Sequence, residues 1–218
     1  MKAFHTLLSA LAIGLFASLP AQAAEPVEGR HYARLQMPQP TEQAGKVEVI
    51  EFFWYGCPHC GDFEPLLKSW VKKLPPDVHF RKVPAIFRDS WAPGARLFYT
   101  LEALGLFDKL NDAVFRAMLK EKINLNDEKT LFDWVAKKGV DREKFAATYK
   151  SFAVDAKVRK AAEMTQEYGF GGVPVVIVGG KYMPGPNLGT FGDMLRVVDG
   201  LIEKNRAELC GPGTSKAC

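Results

Sequence analysis

Cys57-Pro58-His59-Cys60 is the segment of this chain with the clearest chemistry. Two cysteines separated by two residues can form an exchanging disulfide, bind a metal or hold a structural bridge, so the motif alone does not choose. Its position narrows the choice. From Pro58 onward Phe63, Leu66, Leu67, Trp70, Val71 and Leu74 recur at three- and four-residue steps, the spacing of an amphipathic helix. Cys57 therefore falls at a helix mouth, where unpaired backbone N–H groups and the positive end of the helix dipole favour a thiolate. A free cysteine ionises near ~8.5, and such surroundings can bring it to ~3.5–7.5. Cys60 lies one turn in and should be less accessible, so Cys57 is expected to exchange and Cys60 to resolve the mixed disulfide. Pro58 suits a first helical turn, where its missing N–H costs little. His59 can set a positive charge or an N–H donor beside the Cys57 sulfur. Stabilising the thiolate stabilises the reduced form, which makes the disulfide one that is readily given away.

Zinc is the main competing use, and it needs about four ligands, usually as two close pairs. The remaining cysteines, Cys210 and Cys218, stand about 150 residues away, and His31 and His79 lack ligand spacing. No metal is expected, and no cofactor-binding motif stands among the aromatic residues.

The motif needs elements to hold it. Val47 to Trp54 is β-favouring and largely apolar, as in a central strand covered on both faces. The helix that follows contains Pro65, which should kink or break it, and Pro75-Pro76 ends it. Val78 to Phe87 reads as a second strand. The stretch from about Trp91 to Tyr168 is helical: Pro93 to Leu104, a face of Phe107, Leu110, Val114 and Met118, then segments capped by Asn126 or Asp127 and by Asp141, and Phe152 to Tyr168. Val173 to Val178, the turn Gly179-Gly180 and Lys181 to Met183 form a hairpin, and Thr190 with Asp193 can start a last helix. The order strand, helix, strand, helical block, hairpin, helix implies an α/β chain.

Composition sets the outer limits. The 218 residues are 47% hydrophobic and 25% charged, which excludes disorder and collagen-like repeats, and four cysteines are too few for a disulfide scaffold. Lys2, the uncharged apolar run Leu7 to Leu19 and Ala21-Gln22-Ala23 have the order of a secretory signal, so residues 1–23 are read as removed on export. Without Lys2 the formal charge falls from +4 to +3. The basic residues come in scattered pairs with acids nearby, and no stripe suits nucleic acid.

Phe52-Phe53, Gly56 and Cys57-Pro58-His59-Cys60, with Gly172-Val173-Pro174 far downstream, resemble the DsbA family of bacterial thiol:disulfide interchange proteins. The resemblance covers essentially all of residues 24–218. It implies a thioredoxin fold from residues 24–90 and 169–218, with an all-helical domain inserted at 91–168. It implies a monomer in the periplasm that oxidises reduced, unfolded exported proteins and is itself reoxidised by a quinone-linked inner-membrane partner like DsbB. It further implies a cis Val173–Pro174 bond lying against Cys57, beside which an extended substrate could pair as an added strand.

Glu51 interrupts the apolar strand, and Glu64 lies four residues after Cys60. In the family pattern such acids lie beneath the thiols and affect redox poise and proton transfer. A buried carboxylate is costly unless partnered or protonated, which suits a proton acceptor for Cys60; the other reading sends each to solvent. Phe52, Phe53 and Phe63 are expected in the core, while Trp54 and Tyr55 could rim a peptide-binding surface. Cys210 and Cys218 depart from the simplest family pattern. They either close a small structural disulfide, which the export reading favours, or remain unused thiols. The rival functions are a disulfide isomerase or reductase of the same fold, and a non-catalytic peptide-binding folding helper.

Overall fold

The computed structural model describes residues 25–211. The signal reading at residues 1–23 and the second C-terminal cysteine, Cys218, lie outside the described residues. Strand β1 (Tyr32–Arg34) is followed by β2 (Val47–Phe53), helix α1 (Pro58–Val71) and β3 (Val78–Pro84). Five helices follow: α2 (Ala92–Ala103), α3 (Phe107–Leu119), α4 (Glu128–Lys137), α5 (Arg142–Tyr149) and α6 (Phe152–Glu167). The hairpin β4 (Val175–Val178) and β5 (Tyr182–Pro184) then leads to α7 (Phe191–Cys210).

The strands form one sheet in the order β1-β5-β4-β2-β3. β2 and β3 are parallel because α1 carries the chain back across the sheet, whereas β4 returns antiparallel to β2. Every residue of β2 is buried. Alternation along it sends Val49 towards α1 and α7, where Phe63, Leu67, Leu195 and Val198 complete one core layer. Ile50 and Phe52 belong to the opposite layer, a continuous cluster that includes Leu97, Phe98, Val114, Leu131 and Phe145 of the helical block. Phe53 sits at the junction, with ring centroids 5.1 Å from Tyr55, 5.3 Å from Phe98 and 6.0 Å from Phe115. The helices between β3 and β4 thus share their core with the sheet.

The caps follow the sequence. Asp127, Asp141, Ser151 and Thr190 each accept a backbone N–H from the third residue on. Gly179 and Gly180 both adopt positive φ, 58° and 62°, as the tight β4–β5 turn requires. A side chain on Gly180 would strike the Gln39 carbonyl.

Three expectations change. α1 runs unbroken from Pro58 to Val71: Pro65 forfeits one hydrogen bond, yet packing on both sides of the helix holds it. β3 stops at Pro84 rather than Phe87, and the lead-in holds a short strand, β1, paired with β5. No described helix is long and apolar enough to cross a membrane.

Candidate active site

Cys57 is the N-cap of α1, with extended backbone and Pro58 as the first helical residue. It is half-buried, whereas Pro58 and His59 are exposed and Cys60 is fully buried. Both sulfurs are free thiols. The Cys57 thiol is lowered to about 6, first because the Cys60 thiol donates to its sulfur, then through the backbone N–H groups of Cys60 and His59 and, last, the charge of His59; partial burial opposes these. The neighbouring sulfur and the backbone of the helix mouth therefore outweigh the charge of His59. Burial pushes the Cys60 thiol far up, and the hydrogen bond it gives to Cys57 pushes it further. One sulfur is thus prepared to leave as a thiolate and the other to hold its proton.

Val173 and Pro174 precede β4 and meet this pair from across the sheet. The Val173–Pro174 bond is cis. Cys57 Sγ lies 3.4 Å from the Val173 carbonyl, to which it can donate only as a thiol. Ionisation of Cys57 breaks that contact and frees its sulfur to accept from Cys60.

Beneath the sulfurs lies a buried polar cluster. Glu51 on β2 is 0% exposed and Glu64 on α1 is 7% exposed, which removes the solvent reading of both. Sequence reasoning missed what joins them. Lys82 of β3 stands opposite Glu51 in the parallel register, with Nζ 2.9 Å from Glu51 and in direct contact with Glu64. Burial raises the Glu51 carboxyl to about 7, against the pull of Lys82 and with a push from Glu64. Asn111 of α3 donates to Glu64 at 2.7 Å and accepts from the Tyr55 hydroxyl at 2.8 Å. Tyr55 is therefore an interior residue, only 1% exposed, and does not rim a surface. Trp54 is half-buried and stacks on Trp91 with ring centroids 4.0 Å apart.

Cys210 ends α7, far along the chain from the motif, and is disulfide-bonded. Ligand atoms of Glu42, Glu48 and His79 approach within 4.8 Å of one another, but Arg81 supplies that cluster with its own cation, 3.2 Å from Glu48 and 3.1 Å from Glu42. Neither motif cysteine belongs to it.

A DSBA-like thioredoxin domain matches residues 82–193. The thiol:disulfide interchange protein DsbA of Pseudomonas aeruginosa is 42% identical over 204 residues, covering 92% of this chain and 96% of that protein. The chain belongs to the DsbA family. The family member of Burkholderia cepacia is 45% identical over 187 residues, 85% of this chain and 87% of its own. The crystal structure of Pseudomonas aeruginosa DsbA superposes with a TM-score of 0.80 at 43% identity, covering 84% of this chain and 96% of that one. Reduced DsbA1 from Neisseria meningitidis gives 0.78 at 34%, covering 86% and 99%. Membership brings with it the thioredoxin-like α/β fold and thiol:disulfide oxidoreductase activity.

Proposed function

We propose that this DsbA-family oxidoreductase is an exported, monomeric oxidant of the periplasm that donates a Cys57–Cys60 disulfide to reduced, unfolded exported proteins. A substrate thiolate attacks Cys57 Sγ, the Cys57–Cys60 bond breaks, and Cys60 leaves with the electron pair and takes up a proton. A second substrate thiolate then attacks the substrate sulfur of the mixed disulfide, and Cys57 departs as a thiolate. One disulfide has been lost by the enzyme and one gained by the substrate. Reoxidation by a quinone-linked inner-membrane partner like DsbB closes the cycle, and neither metal nor cofactor takes part.

In this reading Pro58 and His59 set the mouth of α1, and the backbone at Val173–Pro174 receives an extended peptide beside the attacked sulfur. Glu51 and Glu64 govern the proton of Cys60. Residues 24–90 and 169–218 form the thioredoxin-fold unit and 91–168 the inserted helical one, while Cys210 and Cys218 form a structural bridge. The asymmetry of the two sulfurs carries the proposal, since a lowered Cys57 favours the reduced enzyme and so a disulfide that is donated. Equilibration with glutathione tests it. The expected equilibrium lies towards reduced enzyme, with oxidation of a dithiol peptide that is abolished by Cys57→Ala. An equilibrium lying strongly towards the disulfide would make the chain a reductase instead.

A further inference from the structure

Two carboxylates beneath the thiols share one ammonium, and their surroundings are unequal. With Glu51 and Glu64 both ionised, the trio with Lys82 carries one net negative charge away from water, which favours keeping one proton. Glu64 has one oxygen on Lys82 and the other on Asn111 Nδ2, so both its oxygens are served by donors. Lys82 approaches Glu51 as an ion pair out of hydrogen-bond alignment, and neither Glu51 oxygen has a hydrogen-bond partner among the described residues. A carboxylate is favoured where donors converge, so the carboxyl that lacks them is the one to hold the proton.

The Asn111 donor is itself set in place. Asn111 is 3% exposed on α3, and its amide could turn either end towards Glu64. The Tyr55 hydroxyl donates to Oδ1 at 2.8 Å and leaves Nδ2 facing the carboxylate. The reverse orientation would set two acceptor oxygens against each other with no proton between them. Burial holds the Tyr55 hydroxyl well above its ordinary range, so it remains a donor.

We propose that Asn111, oriented by Tyr55, is a positioning residue that gives Glu64 its second hydrogen-bond donor and so makes Glu51 the carboxyl that exchanges a proton with Cys60. This rests on the thiol-exchange reading above. When the Cys57–Cys60 bond breaks, the Cys60 thiolate takes the Glu51 proton, and the resulting Glu51 carboxylate then exchanges protons with solvent about its own midpoint; on reoxidation the carboxylate form takes the Cys60 proton. The other charges nearby are Lys68, one turn along α1, its partner Asp112 at 2.8 Å, and Asp108, both acids on α3. None of them donates a hydrogen bond to Glu64. Lys82 hydrogen-bonds Glu64 and only pairs with Glu51, and Asn111, held by Tyr55, adds the second donor to Glu64.

The test follows the side-chain carboxyl NMR shifts of the reduced protein from about pH 5 to about pH 8. In the parent, Glu51 titrates near neutrality. In Asn111→Leu the Glu51 midpoint is expected to fall by about one pH unit, which loss of packing alone would not do. Tyr55→Phe lowers the Glu51 midpoint by less, and decides the matter alone if Asn111→Leu does not fold. The proposal is overturned if Glu51 does not titrate near neutrality in the parent, or if neither variant lowers its midpoint. Thiol exchange of the parent with a small dithiol is measured alongside. Its absence would refute the exchange reading while leaving the carboxyl titrations interpretable.

Discussion

Replacing Glu51 with glutamine should turn the pH dependence of folding into a measurement of the buried carboxyl. The parent Glu51 keeps its proton up to about 7, whereas the unfolded chain releases it near 4.5. Its contribution to stability is therefore fully present below the unfolded value and is lost as pH rises through the folded one. The gap corresponds to about 3 kcal/mol, at about 1.4 kcal/mol for each pH unit. Glu51 is fully buried, so solvent screening does not reduce the figure. Cys57 has the opposite sign: lowered from 9 to about 6, it adds stability to the reduced protein as pH rises across that interval. Comparing reduced parent with reduced Glu51→Gln cancels the cysteine and leaves the carboxyl. Urea denaturation at about pH 4.5 and about pH 8 should show the variant gaining about 3 kcal/mol on the parent between them. A difference that is the same at both pH values, within the error of extrapolation, would refute the assignment of a proton to Glu51.

Alkylation of the reduced protein should label Cys57 with a pH midpoint of about 6 and leave Cys60 untouched; a midpoint near 9 would contradict the helix-mouth argument. Cys60→Ala should move that midpoint upward more than His59→Ala, because the Cys60 thiol is the larger influence on the Cys57 sulfur. Phe98→Ala, which removes a ring packed between α2 and Phe53, should cost about 3–5 kcal/mol and lower a single unfolding transition. Two separate transitions would mean that sheet and helical block do not share one cooperative core. Asp127→Ala should cost about 1 kcal/mol through loss of the α4 cap, and unchanged stability would contradict it.

The sequence showed the motif helix, the strand before it and the hairpin because each rests on a local pattern: period, cap or paired glycine. Val173–Pro174 became legible only through the family resemblance, since nothing local distinguishes a cis bond from an ordinary strand start. Glu51 was visible as an acid in an apolar strand. Its partner was not, because Lys82 becomes its neighbour only through the parallel register of β2 and β3. Asn111 occupied a polar position on a helix and carried no sign that it faced inward. Tyr55 was misjudged because a tyrosine beside an active site fits a peptide-binding rim as readily as an interior hydrogen bond. The propensity of Pro65 points to a kink or a break, and the packing that α7 and α3 bring to α1 overrides it. β1 is three residues long, too short for any alternation to register.

The separation of 116 positions between Cys57 and Val173 sets an order of events for a chain made from its N-terminus. The motif and the Glu51 strand emerge first, Lys82 soon after, then Asn111 with α3, and the carbonyl that touches the Cys57 sulfur follows the whole helical block. Contacts of such sequence separation form late, after the intervening loop has been closed. Each newly made molecule therefore carries Cys57 and Cys60 for a time without the carbonyl that lies against Cys57. During that interval this catalyst of thiol exchange is itself an unfinished chain with exposed thiols, open to the same chemistry that it performs on others.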